Sequence, residues 1–128
     1  MHEENIHEEA VSRTASLAFV PPLAAVSICE LVSCLLLKLA DGLQVEGIVP
    51  GHIKVLLRDD GQYAMLSCTR PGRVSLRSST GWNEAFVAGL QVNLNVIVYA
   101  VLHDQVSSLV ASCWSEFLAG LKQLPYQP

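Results

Sequence analysis

The sequence lacks every short motif that marks a familiar enzyme class. It contains no GxxxxGK[ST] loop, no GxGxxG after a strand, no GxSxG and no HExxH. These motifs supply, in turn, a phosphate cradle, a dinucleotide site, an exposed serine nucleophile and a catalytic zinc site. Their absence argues against nucleotide hydrolysis, hydride transfer, serine hydrolysis and zinc proteolysis, and favours a chain that is not an enzyme.

Paired cysteines are also absent. The four cysteines, at positions 29, 34, 68 and 113, lie in apolar segments and form no CxxC pair. This usage is typical of reduced thiols in a cytoplasmic protein and gives neither a disulfide framework nor a structural zinc site. The first residues are acidic where a secretory signal needs basic ones, so no such signal is expected.

Charged residues make up 16% of the chain and aromatic residues 6%. Five of the eight basic residues lie between positions 54 and 77, whereas four of the twelve acids lie among the first nine residues. Tyr63 is the single aromatic residue near the basic cluster. Nucleic-acid binding usually needs several stacking side chains, so this composition favours a protein or a small anion as the partner.

Apolar residues make up 51% of the 128 residues, which excludes a disordered chain and favours self-association, most simply a homodimer. Residues 16–37 carry one charge, Glu30, and their length approaches that of a membrane helix. A single-span membrane protein is therefore one alternative. Pro21 and Pro22 interrupt the run, however, and the apolar stretch after them is short for a span, so membrane insertion is not favoured.

The first 20 residues form a polar, acidic segment. Its residues Ile6, Ala10, Val11, Thr14 and Leu17 could form one weak helical stripe. His2 and His7 stand among glutamates, so they are candidate weak ligands for a divalent metal, although the sequence requires no cofactor. A plain solubilising tail is the alternative. We expect one domain over residues 21–124 and a short tail at 125–128.

The pattern between these limits predicts an α+β fold. Helical spacing follows Pro22 and ends near "DGL", after which the period changes to that of strands. Two turns, "RDDGQ" and "RPGR", separate three antiparallel strands. "STGWNE" is typical of a loop, a fourth strand alternates around Asn93, and an amphipathic helix starts near Asp104. The prediction is a two-layer sandwich, with an antiparallel sheet of about four strands and helices on one face.

The uncovered sheet face is the candidate binding surface. Cationic side chains next to amides could hold an anionic ligand or an acidic segment of a partner. The predicted residues are His52, Lys54, Arg73, Arg77, Asn93 and Asn95. An ordinary solvated face is the simpler interpretation. His52 also raises a second alternative, a metal carrier or small enzyme, because its unperturbed pKa lies near neutrality.

Three stretches resemble a known family. "LLLKLADGLQVEGIVPGHIKVLL", "YAMLSCTRPGRV" and "VNLNVIVYAVLHDQVSSLV" are together similar to an accessory region found beyond the GTPase core of CobW-type metallochaperone GTPases. The closing pattern is also loosely similar to alkaline-shock-type small α/β proteins. Because the P-loop is missing, the resemblance implies no GTP-dependent activity. It implies an accessory or partner-binding domain in metal or cofactor handling.

Overall fold

A computed structural model describes residues 8–99 and 102–124 of the chain. The strands are β1 (Glu8–Ala24), β2 (Gly51–Asp59), β3 (Gln62–Arg70), β4 (Arg73–Ser78) and β5 (Phe86–Tyr99). The helices are α1 (Ala25–Leu43), α2 (His103–Lys122) and a short 3-10 helix, Trp82–Glu84. The predicted α+β class is confirmed, as an open antiparallel sheet with helices packed on it.

The sheet has five strands rather than four because residues 8–24 form a strand. The helical interpretation of this segment is wrong. Val11, Ala15 and Leu17 alternate with small polar residues, and this period of two pairs the segment with β5 over eleven consecutive positions, from Glu8 to Ala18. The alternation is weak as a signal, because alanine and serine suit either environment and Arg13 lies on the apolar side.

The strand order is β1-β5-β2-β3-β4, with every neighbouring pair antiparallel. The last strand of the chain therefore lies between the first and the second. The β2–β3 and β3–β4 hairpins fall where the two turn motifs predict them. The register sets Lys54 opposite Asn95 on one side of β2 and opposite Ser67 on the other.

The helices cover one face of this sheet and bury its apolar side chains. Ile53, Val55 and Leu57 of β2 are fully buried, as the alternation predicts. The predicted stripe of α2 also faces the core, with Val106, Val110, Cys113, Phe117 and Leu121 buried. All buried residues of the described chain form one cluster, and none of them is polar or charged.

Two polar contacts fasten α2 to its neighbours. Lys38 Nζ of α1 donates to Glu116 Oε1 at 2.9 Å, and this hydrogen bond raises the pKa of the exposed Lys38 amine. His103 Nδ1 lies 2.7 Å from Glu9 Oε2, which connects the start of α2 with β1. Both contacts are at the surface, so they orient the layers more than they stabilise them.

The first helix begins later than its sequence pattern indicates. Pro21 and Pro22 belong to β1, and α1 starts at Ala25, whose N–H donates to Ala85 O at 3.0 Å. A residue that precedes proline is kept out of the helical region, which explains the extended backbone here. Residues 16–37, the candidate membrane segment, are thus divided between a strand and a helix. No helix among the described residues is long and apolar enough to cross a membrane.

Candidate binding face

The sheet face turned away from the helices, here called the open face, carries every second residue of the strands. On β2 and β3 these residues are His52, Lys54, Leu56, Arg58, Tyr63, Met65 and Ser67. On the other strands they are Ser75, Arg77, Gln91, Asn93, Asn95, Ile97, Tyr99 and the even-numbered residues of β1 from Glu8 to Ala18. Within the described residues neither α1 nor α2 packs on this face, and most of its side chains are exposed.

The structure brings most of the predicted site residues onto this one face. Lys54 and Asn95 are direct neighbours across β2 and β5, and His52 lies two residues before Lys54. Arg77 lies on β4, opposite Met65. Arg73 is set apart from them, because it lies beside the β3–β4 turn and opposite Arg70.

Asn93 lies on the same strand as Asn95, and its neighbour on β2 is Leu56 rather than a charged residue. Ser12 Oγ donates to Asn95 Oδ1 at 2.8 Å. Since this bond uses the amide oxygen of Asn95, its amide nitrogen remains a donor for a ligand. Asn95 and the adjacent Lys54 ammonium thus form a pair of donors suited to a carboxylate or phosphate.

The centre of the open face is apolar, which the sequence analysis missed. Leu56 is half-buried and Met65, its neighbour on β3, is 42% exposed. Lys54 and Arg58 flank Leu56 along β2, and Arg77 flanks Met65 from β4. The three apolar residues in a row in "KVLLR" are the signal that was available, because the first of the two leucines, Leu56, falls on the polar side of the alternation.

The three cations form a triangle around this centre. Arg77 lies two strands and two residues away from both Lys54 and Arg58, which corresponds to about 12 Å between Cα atoms. Glu8 is the one acidic strand residue on the described part of the open face, and it lies at the corner, where Tyr99 Oη donates to its Oε2 at 3.0 Å. An apolar centre within a cationic border is the composition of a protein-binding surface.

A depression of about 620 Å³ continues the open face at the β2–β3 turn. Arg58, Gln91 and Tyr63 line it together with Asp59 and Asp60 of the turn. The two carboxylates oppose the field of Arg58, so this corner suits an anion less well than the triangle does.

The histidine-centred alternatives gain no support from the described chain. His52 is exposed and its neighbour on β5 is Ile97. Within residues 8–99 and 102–124, no group of three or more histidine, cysteine or acidic side chains could hold a metal ion. His2 and His7, the predicted weak metal ligands, lie outside the described residues, as does the tail at 125–128.

The four thiols differ in their access to solvent. Burial raises the pKa of the Cys29, Cys68 and Cys113 thiols, although the Trp82 indole N–H, 3.2 Å from Cys29 Sγ, partly offsets the shift there. Cys34 is exposed on α1. A raised pKa lowers the thiolate fraction at neutral pH, and the thiolate is the reactive form.

We therefore expect iodoacetamide to alkylate Cys34 much faster than the other three cysteines in the native protein at pH 7.5. Mass spectrometry of peptides after brief labelling measures this difference, and unfolding in urea should make the four rates similar. Equal labelling of Cys34 and Cys113 in the native protein would contradict the burial described here.

Comparisons with known proteins give little beyond this geometry. No family model matches the chain, and no curated protein matches it. Two solved structures are similar to it: Zn(II)-bound YjiA GTPase from E. coli, and a Zn(II)-bound triple mutant of YjiA GTPase. Each is 15% identical, with 82% of this chain and 30% of the other covered and a TM-score of 0.36. This chain thus spans less than a third of those CobW-type GTPase chains, and a TM-score this low carries no argument about fold or activity.

Proposed function

We propose that this chain is a non-catalytic binding domain whose open face holds an anionic group, carried by a segment of a protein partner. The observation that supports this proposal is the arrangement of Lys54, Arg58 and Arg77 around Leu56 and Met65. A small free anion would be held by the cations alone. A partner segment with acidic residues on either side of an apolar one would also fill the centre, and for this reason the protein partner is favoured over the free ligand.

The resemblance of the sequence to an accessory region of CobW-type GTPases supports an accessory role in metal or cofactor handling. In such a role the domain would hold a partner in place, and the chemistry would belong to that partner. His52 and Asn93 would add directional hydrogen bonds at the border of the triangle. The cytoplasmic location stays a prediction from the cysteine usage.

The proposal predicts that removing two cations from the open face weakens binding without unfolding the domain. The probe is a fluorescein-labelled peptide that carries one leucine between two pairs of glutamates, measured by fluorescence anisotropy in low salt. Lys54→Ala with Arg77→Ala should raise the Kd at least about tenfold, because each charge-assisted hydrogen bond contributes about 1.5–3 kcal/mol. Arg73→Ala with Arg77→Ala should act in the same direction but less strongly, since Arg73 lies beside the turn. The thermal midpoint should stay nearly constant, because both side chains are exposed.

The matched control is Lys38→Ala with Lys122→Ala, which removes the same charge from the helical layer. This variant should bind the peptide as the unmodified protein does. Equal weakening in both double variants would show a general charge effect and would overturn the proposal. Phosphate that competes with the peptide at millimolar concentration would identify a free anion as the ligand instead.

A further inference from the structure

The outer edge of β1 has free backbone groups at identifiable residues. Tyr99 N–H donates to Pro50 O at 2.8 Å, so the backbone groups of Tyr99 point from β5 towards β2. In an antiparallel sheet these directions alternate along a strand, and therefore the groups of Val98 and Val96 point the other way, towards β1. Their partners on β1 are Glu9 and Val11.

The odd-numbered residues of β1 thus bond to β5, and the even-numbered ones turn their N–H and C=O groups outward. These outward residues are Glu8 and, after it, Ala10, Ser12, Thr14, Ser16 and Ala18. The guanidinium of Arg13 donates to Ser12 O at 2.9 Å, which is consistent with a carbonyl that the strand ladder leaves accessible. A carbonyl has two lone pairs, so this bond does not prevent a second one.

Between Ala10 and Ala18 this edge has only one of the features that usually protect a sheet edge from pairing, the charge of Arg13 on the apolar side. From Glu8 to Ala18 the pairing of β1 with β5 has no bulge and the strand has no proline. Arg13 is the one charge between Ala10 and Val20. The opposite edge is protected in the usual way, since β4 has six residues, carries two arginines and has a register shift in its pairing with β3.

From Ala10 to Ala18 the outward residues have the same order of residue types in both directions along the strand. The outward residues form the series Ala, Ser, Thr, Ser, Ala, which is symmetric about Thr14. Around a two-fold axis at Thr14 each residue meets its mirror position, so this series sets threonine against threonine and serine against serine, and the single charge, Arg13, meets Ala15 rather than its own copy. The edge is thus complementary to itself, which favours a second copy of this chain as its occupant.

We propose that two copies associate through antiparallel pairing of their β1 strands, with the two-fold axis at Thr14. Thr14 then faces Thr14 of the partner, Ser12 faces Ser16, and Ala10 faces Ala18. On the helical side Val11 meets Leu17, and Arg13 meets the small Ala15. Threonine and serine pairs stabilise neighbouring strands by hydrogen bonds between their hydroxyl groups.

The pairing forms one continuous sheet of ten strands, because the two-fold axis is perpendicular to the sheet. Both open faces then lie on the same side, and both helical layers lie on the other. A partner with two acidic segments could bind both faces at once, which would raise its apparent affinity. The dimer goes beyond the proposed function and does not depend on it, since β1 supplies neither the cations nor the apolar centre.

Sedimentation velocity of the full chain tests the association. The unmodified protein should sediment as a dimer of the 13.9 kDa chain. Thr14→Lys sets two ammonium groups face to face on the axis and should give a folded monomer. Ser75→Lys adds the same charge to the open face at the opposite edge of the sheet and should remain dimeric. A monomeric unmodified protein, or a dimer unaffected by Thr14→Lys, would overturn the proposal.

Cysteine crosslinking tests the register separately. In a Cys34→Ser background, Thr14→Cys should form an intermolecular disulfide with oxidised glutathione, which accepts the two electrons. The two Cα atoms of a hydrogen-bonded pair lie about 5.5 Å apart, within the range that a disulfide spans. Ser12→Cys should not crosslink, because its own copy lies four residues away, about 14 Å. Crosslinking of both variants to the same extent would overturn the register.

Discussion

Replacing Trp82 by alanine should lower the free energy of unfolding by about 3–5 kcal/mol, as is usual for deleting a fully buried tryptophan. Trp82 has no exposed surface, although it comes from a segment of only three helical residues. Both of its N–H groups donate hydrogen bonds. The backbone N–H donates to Ser79 O at 3.1 Å, and the indole N–H donates to Cys29 Sγ at 3.2 Å. The alanine variant therefore leaves a cavity between α1 and the sheet.

Equilibrium unfolding in urea measures this loss, and two variants control for it. Trp82→Phe keeps most of the apolar volume and removes the indole donor, so it should lose less than half as much stability. Phe86→Ala removes an aromatic ring that is 71% exposed, and it should change the free energy by less than about 0.5 kcal/mol. Similar losses in Trp82→Ala and Phe86→Ala would contradict the packing of the 3-10 helix.

Trp82 also illustrates what the sequence could not reveal. "STGWNE" contains polar and turn-forming residues on both sides of the tryptophan, so no periodicity indicates that the ring is buried, and a loop is the natural prediction. The burial arises from a distant contact, because α1 supplies Cys29 more than fifty residues earlier in the chain. Only the packing of the segment on α1 gives the ring its environment.

Each element that was predicted correctly shows its full hydrophobic periodicity in its own residues. In β2 the core residues alternate strictly, and in α2 the apolar stripe recurs every three or four residues. The strand β1 lacks such a pattern and depends on pairing with β5, which lies about eighty residues later. Non-local pairing of this kind follows from the whole fold, so the fifth strand and the strand order were not predictable.

The residue types of the candidate site could be predicted from the sequence, but which of these residues are neighbours across the strands could not. Lys54 and Asn95 share a face by their separate alternations, but they become neighbours only because β5 inserts next to β2. Leu56 lies between two cations along β2 itself, and its pairing with Met65 of β3 turns a generally polar face into one with an apolar centre. The sequence therefore indicates a basic surface, and the strand pairing adds the apolar centre on which the proposed peptide-like partner depends.

Replacing Gly51 by alanine should lower the free energy of unfolding about as much as Trp82→Ala does, but for a different reason. Gly51 has a φ of 154°, which other residues rarely adopt. A Cβ atom there would overlap Ile97 O and lie 2.8 Å from Val98 Cα, both in the backbone of β5. Backbone strain of about 1–2 kcal/mol and overpacking of about 1–3 kcal/mol should together lower the free energy of unfolding by about 3 kcal/mol or more.

Gly89→Ala is the matched control, because Gly89 also lies within a strand, β5, and a Cβ atom there meets nothing within 4 Å. This variant should be neutral or slightly stabilising. Urea unfolding compares the two variants, and hydrogen exchange of the His52 and Lys54 amides reports the local effect. Because the overlap pushes the start of β2 away from β5, exchange should rise there first and peptide binding should weaken with it. Equal stability of the two alanine variants would show that β2 and β5 do not approach as closely at Gly51 as the structure has them.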